Sequence, residues 1–280
     1  MSNSIHALLT AAAAQIDSDS PRLDAELLLA HALNKPRSYF YSWPEKALAE
    51  SDIQSFQQLA ARRIQGEPIA HILGEQAFWS HHFKVTADTL IPRPDTEVLV
   101  EQALAKLPKA LPCTVADLGT GSGCIAISIA LERPHWHITA VDLSSLALSV
   151  AQENAHRLAA SNVQCIESSW CSALADKQFD MIVSNPPYIR AQDQHLEQGD
   201  VRFEPRCALT SGEDGLEDIR IISQQAKAKL KNGGVLLLEF GYDQADRVAD
   251  ILQADHYQDI QRHVDLAGIV RAISALKKRA

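Results

Sequence analysis

The chain has 280 residues, 46% apolar and 22% charged, which suits one large domain with a smaller one and a full core. Its 35 acidic against 26 basic residues leave a net charge of −9, which argues against bulk adhesion to nucleic-acid phosphate or to an anionic membrane. The five cysteines form no C-x-x-C pair and no zinc spacing with histidine, so no metal site and reduced thiols are expected. No window is apolar for long enough to span a bilayer, and no basic segment precedes the first alanine run, which together point to a cytoplasmic protein.

Residues 1–72 read as a small helical bundle. Ile5, Leu8, Leu9, Ala12 and Ile16 recur at helical spacing. Ser20-Pro21 caps a second run through Leu28 that Asn34-Lys35-Pro36 breaks. Ser51 to Gln54 fits a capping box opening a helix to about Arg63, stopped by Gly66 and Pro68. Residues 73–91 then turn aromatic and β-branched around Phe78-Trp79-Ser80 and His82-Phe83-Lys84-Val85, which predicts a hairpin linker. Ile91-Pro92-Arg93-Pro94-Asp95-Thr96-Glu97 marks the entry to the second domain, 92–280, with Arg93, Asp95 and Glu97 as helix-capping charges.

From Cys113 strand and helix signals alternate, the pattern of a parallel sheet with crossover helices. Strands are expected at Thr114–Leu118, His137–Val141, Val163–Glu167, Phe179–Ser184 and Val235–Phe240. Helices are expected over Cys124–Glu132 and Leu146–Leu158, with a hairpin from Tyr257–Val264 and Ile269–Ile273 closing the sheet. Lys277-Lys278-Arg279 reads as a solvated end.

Two of these strand ends carry chemistry. Asp117-Leu118-Gly119-Thr120-Gly121-Ser122-Gly123 is a glycine turn after an acid, and Asp142 closes the next strand about 20 residues on. Glycine lets the backbone approach a ligand, and a carboxylate so placed accepts the hydroxyls of an adenosine ribose. The strand Phe179–Ser184 ends in Asn185-Pro186-Pro187-Tyr188, where the prolines forbid further ladder pairing. Asn185 offers an acceptor and two donors, and Tyr188 a flat face, a set suited to gripping a planar amide or amino nitrogen. On its own the tetrapeptide is equally an Asn-Pro turn ending a buried strand.

Glycine turn, Asp142 and Asn-Pro-Pro-Tyr in this order resemble the S-adenosylmethionine-dependent methyltransferases that modify a planar nitrogen. The chain as a whole resembles the release factor glutamine methyltransferase family. The likeness runs through Gly66–Gly74, Ile91–Glu97, the glycine turn, Asn185–Tyr188, Val201–Pro205 and Gly212–Leu216. It implies an α/β fold: a Rossmann-like class I methyltransferase domain with a seven-stranded, mostly parallel sheet and a small helical amino-terminal domain that docks the substrate. It also implies methyl transfer to the glutamine of the Gly-Gly-Gln loop of class I peptide chain release factors, with S-adenosylhomocysteine as product. By that resemblance Gly119, Thr120, Gly121, Ser122, Gly123, Asp142, Trp170 and Asn185 contact the cofactor. Asn185, Pro186, Pro187 and Tyr188 hold the glutamine, with Asn185, Pro186 and Tyr188 as the catalytic set. Relatives often carry an acid where this chain has Ser169, which puts an adenine contact there in question.

Three rivals remain. Ribosomal-protein glutamine methyltransferases share Asn-Pro-Pro-Tyr but typically run Pro-Arg-Ser-Pro where this chain has Pro92-Arg93-Pro94-Asp95. An adenine-N6 nucleic acid methyltransferase needs a phosphate-binding surface that the acidic balance opposes. A non-catalytic module would have no use for the intact constellation.

Overall fold

The computed structural model describes residues 3–174 and 178–279 and separates into two compact units. The first is Met1–Glu75 together with Gln194–Phe203, a stretch recruited from far along the chain. It holds α1 (Ile5–Ala13), α2 (Pro21–Leu33), α3 (Ser38–Ser42), α4 (Glu50–Ile64) and α5 (Ile69–Leu73). Ser4 caps α1 through its side chain, and Asn34 ends α2 in a left-handed turn. Ile5, Leu9, Leu28, Leu29, Phe40 and Phe56 form the core between these helices. The capping box at Ser51 does not form. Ala49 is the N-cap without a side-chain bond, and Ser51 lies inside the first turn. Pro68 does not simply stop α4; it caps the short α5.

Charge enters this unit where it can be paired. Arg63, buried on α4, donates from Nε to Asp24 (2.8 Å) on α2 and from a terminal nitrogen to Asp200 (2.7 Å) in the recruited stretch. Among the described residues no helix is long and apolar enough to cross a membrane.

The second unit is Gln76–Asp193 with Glu204–Ala280. Strands β1 (Glu75–Phe78) and β2 (His81–Lys84) form the expected hairpin, but Trp79 sits in its turn at φ 55° and is not part of a strand. A 3₁₀ turn over Pro94–Thr96 then leads into α6 (Glu97–Lys106). The alternating part follows as β3 (Thr114–Leu118), α7 (Cys124–Glu132), β4 (His137–Asp142), α8 (Ser145–Arg157), β5 (Val163–Glu167) and β6 (Phe179–Ser184). It closes with α9 (Glu217–Lys229), β7 (Leu230–Glu239), α10 (Ala245–Ala254), β8 (Tyr257–Val264) and β9 (Val270–Lys277).

The seven strands run in the order β5-β4-β3-β6-β7-β9-β8, parallel up to β7 and antiparallel at β9 and β8. One face packs with α6 and α7 around Leu99, Ile127, Trp136 and Met181; the other packs with α9 and α10 around Ile222, Leu236, Phe240 and Leu252. Covered on both sides, the central strands are apolar without alternation. Lys277 belongs to β9 and donates to the Leu230 carbonyl at 2.6 Å, so it is not part of a loose end.

Asp95 and Glu97 do fall in first helical turns, but the side chains of Arg93, Asp95 and Glu97 also reach partners outside their own helix. Glu97 accepts from the Trp79 backbone N–H at 2.7 Å, Asp95 pairs with Arg271 at 3.1 Å, and Arg93 pairs with Glu204. The Glu204 side chain is fully buried and also receives the Ile91 N–H at 2.9 Å, which fixes the segment entering the domain.

Candidate functional site

The site follows from strand register. Leu118 of β3 is level with Val141 of β4 and with Ser184 of β6, and Ser184 is level with Leu238 of β7. The next residue on each strand therefore forms a row along the carboxyl edge of the sheet: Asp142, Gly119, Asn185 and Glu239. That edge, where the chain order reverses around β3, is where open α/β sheets bind ligands.

The glycine turn is fastened from below. Gly119 and Thr120 both donate their N–H to the Val141 carbonyl at 2.8 Å. Asp117, fully buried, accepts from the Thr120 hydroxyl (2.7 Å) and from the Ala126 N–H (3.2 Å), tying the turn to the first turn of α7. Burial pushes the Asp117 carboxyl up to about 7, against the pull of those two donors. Gly121 donates to one Asp142 oxygen and Ser144 to the other, both at 2.9 Å. The carboxylate is thereby locked in place and still has acceptor capacity for a ligand.

These groups border a cavity of about 670 Å³, within the range of small-molecule sites. Gly119, Gly121, Asp142, Trp170, Asn185 and Pro187 line it. Trp170 has a left-handed backbone, φ 49°, uncommon for a bulky residue. Its ring lies over Gly119, where an added Cβ would stand 3.3 Å from Cζ3. Other expected residues are not in the lining. Thr120 is 4% and Ser122 2% exposed, and Gly123 is closed in by Ile127 and Ala151, so these three support the turn from behind. Pro186 and Tyr188 also lie outside the lining; Pro186 is buried and Tyr188 half-buried.

Asn185 donates from Nδ2 to the Thr96 hydroxyl oxygen at 3.1 Å. The Tyr188 hydroxyl donates to Glu239 Oε1 at 3.4 Å, and burial with the nearby Glu239 charge holds its own pKa above the usual phenol range. Leu143, Ser169, Cys207, Asp218 and Gln225 also border the cavity. Sequence reading offered no sign of the last three, because they arrive on the loops and helix between β6 and β7. Glu239 had one: it is an ionisable residue closing the apolar run Val235–Leu238.

Residues 6–74 match the family described as the PrmC N-terminal domain, and residues 95–202 match the methyltransferase small domain. A release factor glutamine methyltransferase of Vibrio cholerae is 52% identical over 272 residues, covering 96% of this chain and 95% of that one. Another, from Escherichia coli K12, is 50% identical over 244 residues, covering 87% and 88%. The crystal structure of a T. thermophilus 16S rRNA N2 G1207 methyltransferase in complex with AdoMet and guanosine shares the fold: TM-score 0.51, 20% identity, 73% of this chain and 50% of that one.

Proposed function

The chain belongs to the release factor glutamine methyltransferase family, and on that premise we propose that it methylates the side-chain amide nitrogen of the Gly-Gly-Gln glutamine in class I peptide chain release factors. The methyl donor in this reading is S-adenosylmethionine, and the residues fit it. A turn that faces the cavity with Gly119 and Gly121, which carry no Cβ, a fixed carboxylate one strand away and an indole face suit an amino-acid tail, a ribose and an adenine. The donor supplies an electrophilic methyl group on a sulfonium.

The remaining work falls to the chain. A glutamine amide is a poor nucleophile because its lone pair is delocalised. Asn185 Oδ1 and the Pro186 carbonyl accept its two hydrogens and aim the nitrogen at the methyl, while Tyr188 packs on the amide plane. Orientation of this kind supplies ~7–11 kcal/mol. The helical unit is the docking module for the protein substrate, and the place of work is the cytosol, where such substrates act. The observation that carries the reading is the Asn185 bond to Thr96: it fixes the nitrogen end of the amide and leaves the oxygen end as the acceptor at the cavity.

The test is transfer from labelled S-adenosylmethionine to a release factor, a ribosomal protein fraction and adenine-containing nucleic acid in parallel. Label on the Gly-Gly-Gln glutamine, absent from a Gln→Ala substrate, is expected. Label only on a ribosomal protein or on nucleic acid would sink the substrate assignment and keep the fold.

A further inference from the structure

Glu239 holds no part in the contacts assigned above, although it stands in the same row as Asn185, one strand over. The residue is 1% exposed, and its Oε2 atom has no hydrogen-bond partner among the described residues. A buried carboxylate with an unsatisfied oxygen is costly, and such groups cluster at working sites. Its neighbours are the Tyr188 hydroxyl at 3.4 Å and the Thr96 hydroxyl, the same hydroxyl that accepts from Asn185.

We propose that Glu239 is a positioning residue that decides which way round the Asn185 amide stands, acting through the single hydrogen of Thr96. An ionised carboxylate only accepts, so it draws the Thr96 hydrogen toward itself. The Thr96 oxygen then offers only lone pairs to Asn185, which must present its NH₂ group. The Asn185 oxygen is left facing the cavity as an acceptor. A protonated Glu239 can instead donate to Thr96. The Thr96 hydrogen is then free for Asn185, and the amide can turn over, showing the cavity donors where an incoming N–H needs an acceptor. This rests on the proposed role of Asn185 toward the glutamine.

Burial pushes the Glu239 carboxyl up to about 7, so both forms are populated near neutrality. The charges facing it are Arg271 of β9, which favours ionisation, and Asp95 ahead of α6, which opposes it. Arg271 is itself paired to Asp95 and Asp265, and the Cys124 thiol of α7 also senses the Glu239 charge.

The test follows the Asn185 side-chain NH₂ signals by NMR in protein labelled with ¹⁵N-asparagine, assigned by their loss in Asn185→Asp. In the wild type they are expected to shift with pH around a midpoint near 7. The shift should vanish in Glu239→Gln and Thr96→Val and persist in Thr96→Ser, which keeps the hydroxyl. In methyl transfer, kcat should fall toward acid pH in the wild type. Glu239→Gln should lose that limb, with kcat about ten-fold lower and unchanged affinity for S-adenosylmethionine. An Asn185 signal that does not titrate, or that titrates alike in Glu239→Gln, overturns the proposal. If the NMR pattern holds while the release factor gains no methyl, the relay stands and the substrate reading fails.

Discussion

Asp142 and Asn185 flank Gly119 on either side, roughly 10 Å apart by the spacing of neighbouring strands. That separation assigns them different tasks and makes them separable by mutation. In the proposed reading Asp142→Ala removes the acceptor for the cofactor's ribose, a charge-assisted contact of about 1.5–3 kcal/mol, so calorimetry should show cofactor affinity roughly 10–150-fold weaker. Asn185→Ala should leave that affinity largely intact and slow single-turnover transfer roughly 10²-fold or more, because the nucleophile is no longer aimed. The reverse pattern would exchange the two roles.

Asp117 makes a prediction about pH at the same scale. Its carboxyl titrates near 7 in the folded chain and near the ordinary 3.8 when unfolded, so the folded state holds the extra proton between those values. The stability it contributes is fully present below about 4 and is lost as pH rises through about 7. Asp117→Asn keeps an oxygen for Thr120 and Ala126 and never ionises. Its urea midpoint should therefore fall less than that of the wild type between pH 5 and pH 8, by the equivalent of up to about 2.5 kcal/mol. Identical slopes in the two proteins would mean that another group governs the loss of stability toward higher pH.

Among the elements, the glycine turn depends on a missing atom. Gly123 caps α7 at φ +83°, and a Cβ there would stand 2.8 Å from Ile127 Cδ1 and 3.2 Å from the Ala151 Cβ. Gly123→Ala therefore meets both a left-handed penalty of about 1–2 kcal/mol and a clash that spreads α7 from α8. A melting temperature lower by about 3–8 °C is the expected reading in a thermal scan. An unchanged value would show that the turn has slack.

This is also the scale at which the sequence was most legible. The β3–α7 turn, β4, β5, β6 and the terminal hairpin could be placed because period, glycine and proline all agree there. Helices α9 and α10 were not placed from the sequence, although Gly212 and Gly215 precede the first and Gly241 the second. Arg93, Asp95 and Glu97 looked like local caps because local spacing is all a sequence shows. Their partners Glu204, Arg271 and Trp79 come from other elements, the first two from far along the chain. Asn185 and Asp142 were found by motif, whereas Thr96 meets Asn185 only in the folded chain, and the place of Glu239 beside Asn185 shows only when β6 and β7 stand in register.

For the molecule as a whole, the telling feature is a first unit assembled from two distant stretches of chain. Arg63 joins them, with side-chain exposure of 7% against 11% for Asp24 and 39% for Asp200. Arg63→Ala would strand Asp24 without its cation, a loss of about 3–5 kcal/mol for a buried pair. Amide exchange in α2 and α4 should quicken while β3 and β6 keep their protection. Equal loosening in the sheet would instead mark the two units as one cooperative block.

The same connectivity sets a timetable. On the ribosome the first 75 residues emerge early, but the stretch that completes their unit, Gln194–Phe203, is not yet translated. At 5–20 residues per second the wait is roughly 6–24 s. Through that interval the nascent helices hold Asp24 against Arg63 without Asp200. Chains stalled before residue 194 should be cut by protease within the helical unit more readily than chains stalled well past residue 203. When the amino-terminal unit becomes complete is thus decided by the progress of translation through the later domain.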